Sequence, residues 1–550
     1  MYRRSLFLIL ILFLSSCSTK NDALTAEDSI SKEDFEKHLI TLSSDDFQGR
    51  KPFTIGEEKT VNYLADVYRE LGLEAPYEGS YFQNVPLVNL KYSPTKKVSI
   101  QTKKGKITLE KTKDFIAKTP HLNEKVEIKN AEIVFVGYGI VAPEYNWNDY
   151  EGIDVKGKIV LALVNDPGYA TQDPDLFKGN SMTYYGRWAY KYEEAARQGA
   201  KGIMVIHSTK PAGYGWQVLT NTSSSGISLQ AKDKNYSKCA LEGWITDEAC
   251  KQLFEKSELN FNELAKQAET NSFKAVSLKC DLNISIDTKL KFQNSRNVVG
   301  LIKGTERPDE AIVYSAHWDH FGIGPKHNGD SIYNGAMDNG TAVAAMLETA
   351  KAFSKLEKKP KRSVVFIAVT AEETGMTGSA YYAKNGLHIP KKTIANLNYE
   401  LLLTMGKMKD VTITGFGQSE LDNYVLEEAK SQDRYIIEEP FPENGMYYRS
   451  DHFSFAKEGV PSLFIKGWQD SREHGTEWAK KQIKNYWATG YHKPADEYNP
   501  ENANVEGCIE DAKLFFKIGY RLANENSYPN WNEKSEFRAI REKSLEKSTG

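Results

Sequence analysis

The chain is poor in cysteine and has no dense basic block. Its 550 residues contain five cysteines, none of them in a C-x-x-C spacing, so neither a cysteine-ligated zinc site nor dithiol redox chemistry is supported. Lysine and arginine are spread along the chain and the formal net charge is only -3, which argues against a nucleic-acid partner. No repeat of fixed period is present. With 40% apolar and 26% charged residues, the sequence is typical of a globular protein of two or three domains.

An apolar run near the N-terminus is too short to span a bilayer. Arg3 and Arg4 precede this run, and Leu-Ser-Ser-Cys17 follows it. The pattern resembles a bacterial lipobox, which implies a signal peptide over residues 1–17 and an exported lipoprotein, anchored in the membrane through lipidated Cys17 and facing the periplasm or the cell exterior. The alternative is a plain secretory signal with an incidental cysteine. Export permits disulfides, and the pairing of the four further cysteines is left open: Cys239, Cys250, Cys280 and Cys508.

Shifts in composition divide the rest of the chain. Residues 18–30 are polar and are predicted to form a tether. A discontinuous domain is predicted at 31–110 and 290–525, with a β-rich α+β domain at 111–289 inserted into it and a peripheral polar tail at 526–550. Within the discontinuous domain, β-branched strands alternate with helical stretches. This alternation predicts a three-layer α/β fold with a mostly parallel or mixed sheet and helices on both faces.

Six His, Asp and Glu residues follow predicted strands or lie in loops. In open α/β sheets, functional residues gather beyond the carboxyl ends of the strands, so we expect these six at one rim. Imidazole and carboxylate ligands without thiolate suit catalytic zinc, with manganese or cobalt as substitutes. Their number suits two ions that share one bridging carboxylate. The six residues are His317, Asp338, Glu372, Glu373, Glu400 and His492.

Five motifs surround these residues: AHWDHFG, YNGAMDNG, TAEETGMTGS, YRSDHFSFAKEGVP and YHKPADEY. Through them the chain resembles, from about residue 31 to 520, the exported dinuclear zinc aminopeptidases, a family of co-catalytic zinc exopeptidases. The block that begins GYGIVAPEYNWNDYEGIDVKGKIVLALVNDPG is similar to the protease-associated domain inserted in some members. The resemblance implies the zinc exopeptidase fold, two Zn2+ per chain and peptide substrates.

The resemblance also implies roles for single residues. One zinc is expected on His317, Asp338 and Glu400, and the other on Asp338, Glu373 and His492, with Glu372 as the general base acting on a metal-bridging hydroxide. Asp319 is expected to accept the spare imidazole N–H of His317. Tyr491 is a candidate donor to the oxyanion, although simple packing explains it equally well. His320 and the run 449–452 are expected beside the ligands or facing the substrate.

Glu400 departs from the family pattern, which usually has Asp at this position. Asn396, Asn398 and Glu400 alternate onto one face of a predicted strand, so Glu400 points where the ligand is needed. Its additional methylene leaves open a weaker or shifted first zinc, and Glu400 is retained as the ligand.

The resulting hypothesis is a zinc-dependent aminopeptidase that removes N-terminal residues from peptides. A carboxypeptidase or a glutaminyl cyclase-like enzyme on the same fold is the first alternative. A non-catalytic, receptor-like binding protein is the second, but it predicts missing ligands, whereas the expected ligands and base are all present. The preferred residue and the oligomeric state are left open.

Overall fold

The computed structural model describes residues 22–546, so the expected signal peptide and Cys17 lie outside the described residues. The chain divides into two compact units. Unit 1 comprises the residues up to 85, residues 294–439 and the residues from 449 on, and unit 2 comprises residues 86–293 and 440–448. The observed boundary at 85/86 precedes the predicted one at 110/111, because the chain after residue 85 pairs with strands of unit 2. Of the helices in the described part of the chain, none has the length and apolar character needed to cross a bilayer.

The strands of residues 22–546 are numbered in chain order. They are β1 Phe82–Pro94, β2 Lys97–Thr102, β3 Gly105–Glu110, β4 Phe115–Lys118, β5 Lys125–Phe135, β6 Val141–Ala142, β7 Trp147–Asn148, β8 Ile159–Leu163, β9 Gly202–His207, β10 Ser225–Leu229, β11 Leu241–Thr246, β12 Val276–Ile302, β13 Arg307–His317, β14 Gly322–His327, β15 Asp330–Tyr333, β16 Arg362–Val369, β17 Thr393–Asn398, β18 Asp410–Ile413, β19 Tyr435–Glu438 and β20 Ser462–Lys466.

The α-helices follow the same convention, after a helical stretch at 22–28. They are α1 Lys32–Leu42, α2 Ile55–Glu70, α3 Pro167–Thr171, α4 Trp188–Arg197, α5 Thr209–Ala212, α6 Trp216–Thr222, α7 Asp247–Lys256, α8 Phe261–Gln267, α9 Thr341–Lys355, α10 Thr377–Asn385, α11 Leu421–Lys430, α12 His452–Ala456, α13 Gly475–Thr489, α14 Glu506–Asn524 and α15 Arg538–Glu546.

Unit 1 is built on a mixed sheet with the spatial order β19-β18-β20-β17-β13-β16-β12. Its four central strands, β20, β17, β13 and β16, are mutually parallel. Alternate residues of β13 enter two separate cores, Tyr314 on one face and Val313 on the other. The first core includes α1, α2, α9 and α14, and the second includes α10 and α12. The three-layer mixed α/β fold predicted from the sequence is therefore confirmed.

Unit 2 has a mixed sheet of its own. Its strands β5, β8, β9 and β11 are parallel, and β4 and the first part of β12 run antiparallel at the two ends of this series. β1 pairs with β10, and β2 pairs with β3 in a hairpin. The four described cysteines are buried and unpaired.

Two segments that the sequence predicts to be peripheral are packed into unit 1. Ala26 and Ile30, from the expected tether, are 1% and 3% exposed and join the core of α1 and α2. Trp531 and Phe537, from the expected polar tail, are 0% and 1% exposed. The predictions of a tether and a peripheral tail are wrong here, because a few apolar side chains at suitable spacing anchor segments whose average composition is polar.

Candidate metal centre

Neighbouring strand ends bring the candidate ligands of unit 1 together. His317 is the last residue of β13, Glu372 and Glu373 shortly follow β16, and Glu400 shortly follows β17. Asp338 lies in the turn before α9, and His492 lies in the loop after α13. The structure therefore brings together all six residues that the sequence placed at one rim.

The backbone at this rim adopts unusual conformations. Ala371, directly before Glu372, has φ 54°, and Leu401, directly after Glu400, has φ 51°. His492 itself has φ 55°. These residues lie in the left-handed region, which costs on the order of 1 kcal/mol or more for a residue with a side chain. Such strain persists only where the surrounding contacts enforce it, and it fixes the direction of the site side chains.

The first group of ligand atoms is formed by His317, Asp338 and Glu400. His317 Nε2 lies 3.3 Å from Asp338 Oδ1 and 3.4 Å from Glu400 Oε1. The Ser450 hydroxyl donates a hydrogen bond to Glu400 Oε2 at 2.8 Å and so fixes the longer side chain. Burial disfavours a charged imidazole, but the carboxylates of Glu400 and Asp338 outweigh it and hold the pKa of His317 well above its usual value. The three side chains together therefore favour a positive charge between them, and a divalent cation would supply it.

The second group contains His492, Asp338 and Glu373. His492 Nε2 lies 3.3 Å from Asp338 Oδ2 and 3.2 Å from Glu373 Oε2. Nevertheless this buried nitrogen forms no hydrogen bond within residues 22–546. Asp338 thus offers one oxygen to each histidine, as a carboxylate that bridges two cations does. The orphaned nitrogen and the shared carboxylate fit a pair of metal ions.

Glu372 is a further carboxylate beside the first group and is not needed as a ligand. Its Oε2 lies 4.0 Å from His317 Nε2. Burial raises the pKa of Glu372 well above its usual value, with the neighbouring carboxylates of Glu400 and Asp451 adding to the effect against the opposing influence of His317. A carboxyl group with a raised pKa can both accept and return a proton near neutral pH.

The Asp319 carboxylate contacts the main chain of Glu372 and not, as expected, the ring of His317. The spare ring nitrogen of His317, Nδ1, lies 3.0 Å from the main-chain oxygen of Asp319, whereas its distance to the Asp319 carboxylate is 3.9 Å. Asp319 Oδ1 instead accepts a hydrogen bond from the main-chain N–H of Glu372 at 3.0 Å. Because the turn after His317 brings the peptide oxygen nearer than the carboxylate, the main chain orients the ring and the carboxylate positions Glu372.

His320 contacts the ligand set directly. Its Nδ1 lies 2.5 Å from Glu373 Oε1, the oxygen of Glu373 that does not face His492. His320, Asp338 and Glu373 also offer ligand atoms within 4.8 Å of one another. His320 therefore either orients Glu373 or serves as an additional ligand, and its histidine chemistry suits both roles.

Tyr491 packs against the second histidine. Its ring stacks on the His492 ring with centroids 3.7 Å apart and an interplanar angle of 23°. It also contacts the Trp487 ring, with centroids 4.4 Å apart. Burial, together with the carboxylates of Asp338 and Glu373, raises the pKa of the Tyr491 hydroxyl, so the hydroxyl remains a proton donor. The packing role considered for Tyr491 is observed, and the oxyanion role stays a prediction.

Two residues missed by the sequence reasoning hold the loop that carries Asp338. Arg50 is 1% exposed, and its guanidinium donates to the main-chain oxygens of Trp318, Asn334 and Gly335 at 2.9, 2.5 and 2.8 Å. Asp496 accepts from the main-chain N–H groups of Met337 and Asp338 at 2.9 and 3.0 Å. Both residues lie within stretches that carry the family resemblance, but their contacts join distant parts of the chain and left no local signal.

Comparison with known proteins adds independent information. Residues 297–515 match the model of peptidase family M28. A segment of 126 residues, 22% of this chain, is 29% identical to aminopeptidase NAALADL1 of Rattus norvegicus and covers 15% of that protein. A longer match, 23% identical over 429 residues, covers 70% of this chain and 53% of the glutamate carboxypeptidase 2 homolog of Caenorhabditis elegans. The chain thus spans about half or less of the length of these two relatives.

Among solved structures, the aminopeptidase from Aneurinibacillus sp. strain AM-1 aligns with 92% of this chain and 97% of its own, at 20% identity and a TM-score of 0.45. The family match at 297–515 begins within β12 and ends within α14. It therefore spans the central strands of unit 1 and every residue of both ligand groups. The resemblance expected from the five motifs is thus supported, since residues 297–515 of this chain match the model of peptidase family M28.

Proposed function

We propose that this protein is a zinc-dependent exopeptidase, and specifically an aminopeptidase that hydrolyses N-terminal residues of peptides. The observation that carries the proposal is the shared carboxylate of Asp338, which lies 3.3 Å from both His317 Nε2 and His492 Nε2. Each histidine has a further carboxylate of its own, from Glu400 and Glu373. Two ligand groups joined in this way suit two ions better than one, which disfavours an enzyme that needs a single zinc.

His317, Asp338 and Glu400 would hold one zinc, and His492, Asp338 and Glu373 the other. The nitrogen and oxygen donors without thiolate are those of catalytic zinc sites. When bound, zinc acts as a Lewis acid that acidifies water and polarises the scissile carbonyl. The bond-breaking step then needs a group that moves protons, and the chain supplies one.

Glu372 is assigned that role. Its raised pKa and its place beside His317 let it take a proton from the attacking water and deliver it to the leaving amine. The main-chain N–H of Glu372 donates to the Asp319 carboxylate, which fixes the peptide from which the Glu372 side chain projects. The Tyr491 hydroxyl is proposed as a donor to the oxyanion of the tetrahedral intermediate.

One relative is named an aminopeptidase, which supports the removal of N-terminal residues. The other is named a glutamate carboxypeptidase 2 homolog, so a carboxypeptidase is the second candidate. Export as a lipoprotein anchored through Cys17 is proposed from the N-terminal sequence alone. Unit 2 is proposed to be a protease-associated domain on the sequence block at its centre.

Metal analysis combined with peptide cleavage tests the proposal. The purified protein is expected to hold two zinc ions per chain and to cleave leucine p-nitroanilide but not its N-acetylated form. A free amino terminus is the feature that an aminopeptidase must recognise, so cleavage of only the blocked substrate would exclude the aminopeptidase. Cleavage of peptides from the carboxyl end would favour the second candidate.

A further inference from the structure

The fourth central strand of unit 1 also ends in a charged residue. The parallel strands β20, β17, β13 and β16 are neighbours in this order. The ends of the last three carry Glu400, His317 and the Glu372–Glu373 pair, and Lys466 is the last residue of β20. Because Asn398 pairs with Phe464 in the register of β17 and β20, Glu400 and Lys466 follow at the same level of adjacent strands. Lys466 therefore belongs to the same rim as the ligands.

Lys466 is buried, at 5% exposure, and has no anionic partner of its own. Its Nζ lies 4.0 Å from the centroid of the Trp468 ring and 4.8 Å from that of Phe464. Within residues 22–546 the ammonium forms no hydrogen bond or ion pair, and Asp511, a nearby carboxylate, is engaged by Arg434 at 2.8 Å. A buried cation is costly unless it is paired, and aromatic faces compensate only part of that cost.

The charge on Lys466 is maintained by the carboxylates of the rim. Burial lowers the pKa of Lys466 to about 8, and the carboxylates of Glu400 and Asp338 oppose this decrease. The ammonium is therefore largely protonated at neutral pH. Once Glu400 and Asp338 are committed to metal ions, the ammonium loses the two leading charges that compensate its burial.

We propose that Lys466 is a specificity-determining residue that binds a carboxylate of the substrate beside the scissile bond. The inference rests on the proposed peptidase function and names a substrate class for it, namely short peptides with a negative charge next to the bond that is cleaved. The carboxylate has two sources. It belongs either to an acidic side chain of the N-terminal residue or to the free C-terminus of a dipeptide.

Matched pairs of substrates separate these sources. Glutamyl and glutaminyl p-nitroanilide differ in one side-chain charge, and alanylalanine and its C-terminal amide differ in the terminal charge. For the zinc-loaded enzyme we expect kcat/KM to favour the charged member of one pair by about tenfold or more, chiefly through KM. Lys466→Met, which keeps the length and loses the charge, is expected to abolish that ratio, and Lys466→Arg to restore part of it. The substrate pair whose kcat/KM ratio is lost in Lys466→Met identifies the source of the carboxylate.

A matched control is Lys355→Met. Lys355 is an exposed lysine at the far end of α9 from Asp338, roughly 20 Å along the helix. Its ratios are expected to equal those of the wild type. The inference is overturned if the wild type favours neither charged substrate, or if Lys466→Met changes both members of each pair by the same factor.

Binding measurements keep the inference separate from the proposed function. Calorimetry with free glutamate and glutamine, on zinc-loaded wild type and Lys466→Met, needs no catalysis. Tighter binding of glutamate by the wild type, lost in the variant, supports carboxylate recognition even if no peptide is cleaved. If alanylalanine is cleaved in preference to its amide, alanylalanine phosphinate replaces glutamate as the probe. Equal binding of charged and neutral probes by the wild type overturns the inference.

Discussion

Both units bury a cluster of charged side chains, and the two clusters are satisfied to different degrees. In unit 2, Asp149, Asp166 and Lys191 are 3%, 0% and 0% exposed. Burial raises the pKa of both aspartates and lowers that of the lysine, and at the metal centre burial likewise raises the pKa of Glu372. Shifted pKa values alone therefore do not distinguish the two clusters.

Hydrogen bonding does distinguish them. Asp166 accepts from the main-chain N–H and the hydroxyl of Thr183 at 3.1 and 2.8 Å, and the Lys191 ammonium donates to the main-chain oxygen of Asn165 at 2.9 Å. At the metal centre, by contrast, buried nitrogens of His320 and His492 have no hydrogen-bond partner among the described residues. A saturated charge cluster supports the fold, and an unsaturated one at strand ends indicates a site that is completed by something else.

The largest expected effect is a loss of catalytic activity when the cluster of the metal centre, and not that of unit 2, is changed. Glu372→Gln keeps the shape of the side chain and removes its ability to accept a proton, so kcat is expected to fall by roughly 10²–10⁴-fold with zinc content unchanged. The steady-state rate and the bound metal are measured on the same sample. The matched change in unit 2, Asp166→Asn, is expected to leave the turnover of folded molecules intact. Full activity of Glu372→Gln would contradict the assignment of Glu372 as the general base.

The next effect is a loss of folding stability when the charge cluster of unit 2 is changed. Lys191→Met removes the only cation of the unit 2 cluster and leaves two buried aspartates, which is expected to lower the free energy of unfolding by about 3–5 kcal/mol. Urea denaturation followed by tryptophan fluorescence measures the change. Adding Asp166→Asn to this variant is expected to recover part of the loss. If Lys191→Met unfolds at the same urea concentration as the wild type, the charge of Lys191 does not stabilise unit 2.

A smaller effect tests the contact between His320 and Glu373. Removing the imidazole in His320→Ala frees one Glu373 oxygen, and zinc affinity is expected to fall by about 10–100-fold. Competition with a chromogenic chelator measures this affinity. His388→Ala is the control, since His388 is a half-buried histidine whose ring contacts the main-chain oxygen of Pro308, outside both ligand groups. Equal affinities in the two variants would assign His320 to packing alone.

The most local effect, similar in size to that of His320→Ala, concerns Glu400. Ser450→Ala removes the hydroxyl that holds Glu400 Oε2, a neutral donor to a charged acceptor, which corresponds to about 1.5–3 kcal/mol. We expect one of the two zinc ions to bind more weakly while the ion beside His492 is unaffected. Stepwise metal titration resolves the two. Uniform weakening of both ions would contradict the division of the ligands into two groups.

The central strands and the six rim residues could be predicted because each depends on a local pattern. His317 and Glu400 follow short apolar strands, and the carboxyl-end rule places them together. The same rule, applied to the apolar run at 461–465, would have found Lys466. Arg50 and Asp496 could not be found in this way, because their roles depend on contacts with peptide groups far away in sequence. The actual partner of Asp319 depended on the geometry of a single turn, which residue types do not specify.

Arg50 has a consequence for how much of the chain a working site requires. The family match starts at residue 297, yet the carbonyl groups before Asp338 are gathered by a guanidinium from the N-terminal part of the chain. A fragment limited to residues 297–515 would retain every ligand and lose this support. We therefore expect metal uptake to depend on whether the first helices are in place, which would link the assembly of the candidate site to the completion of unit 1.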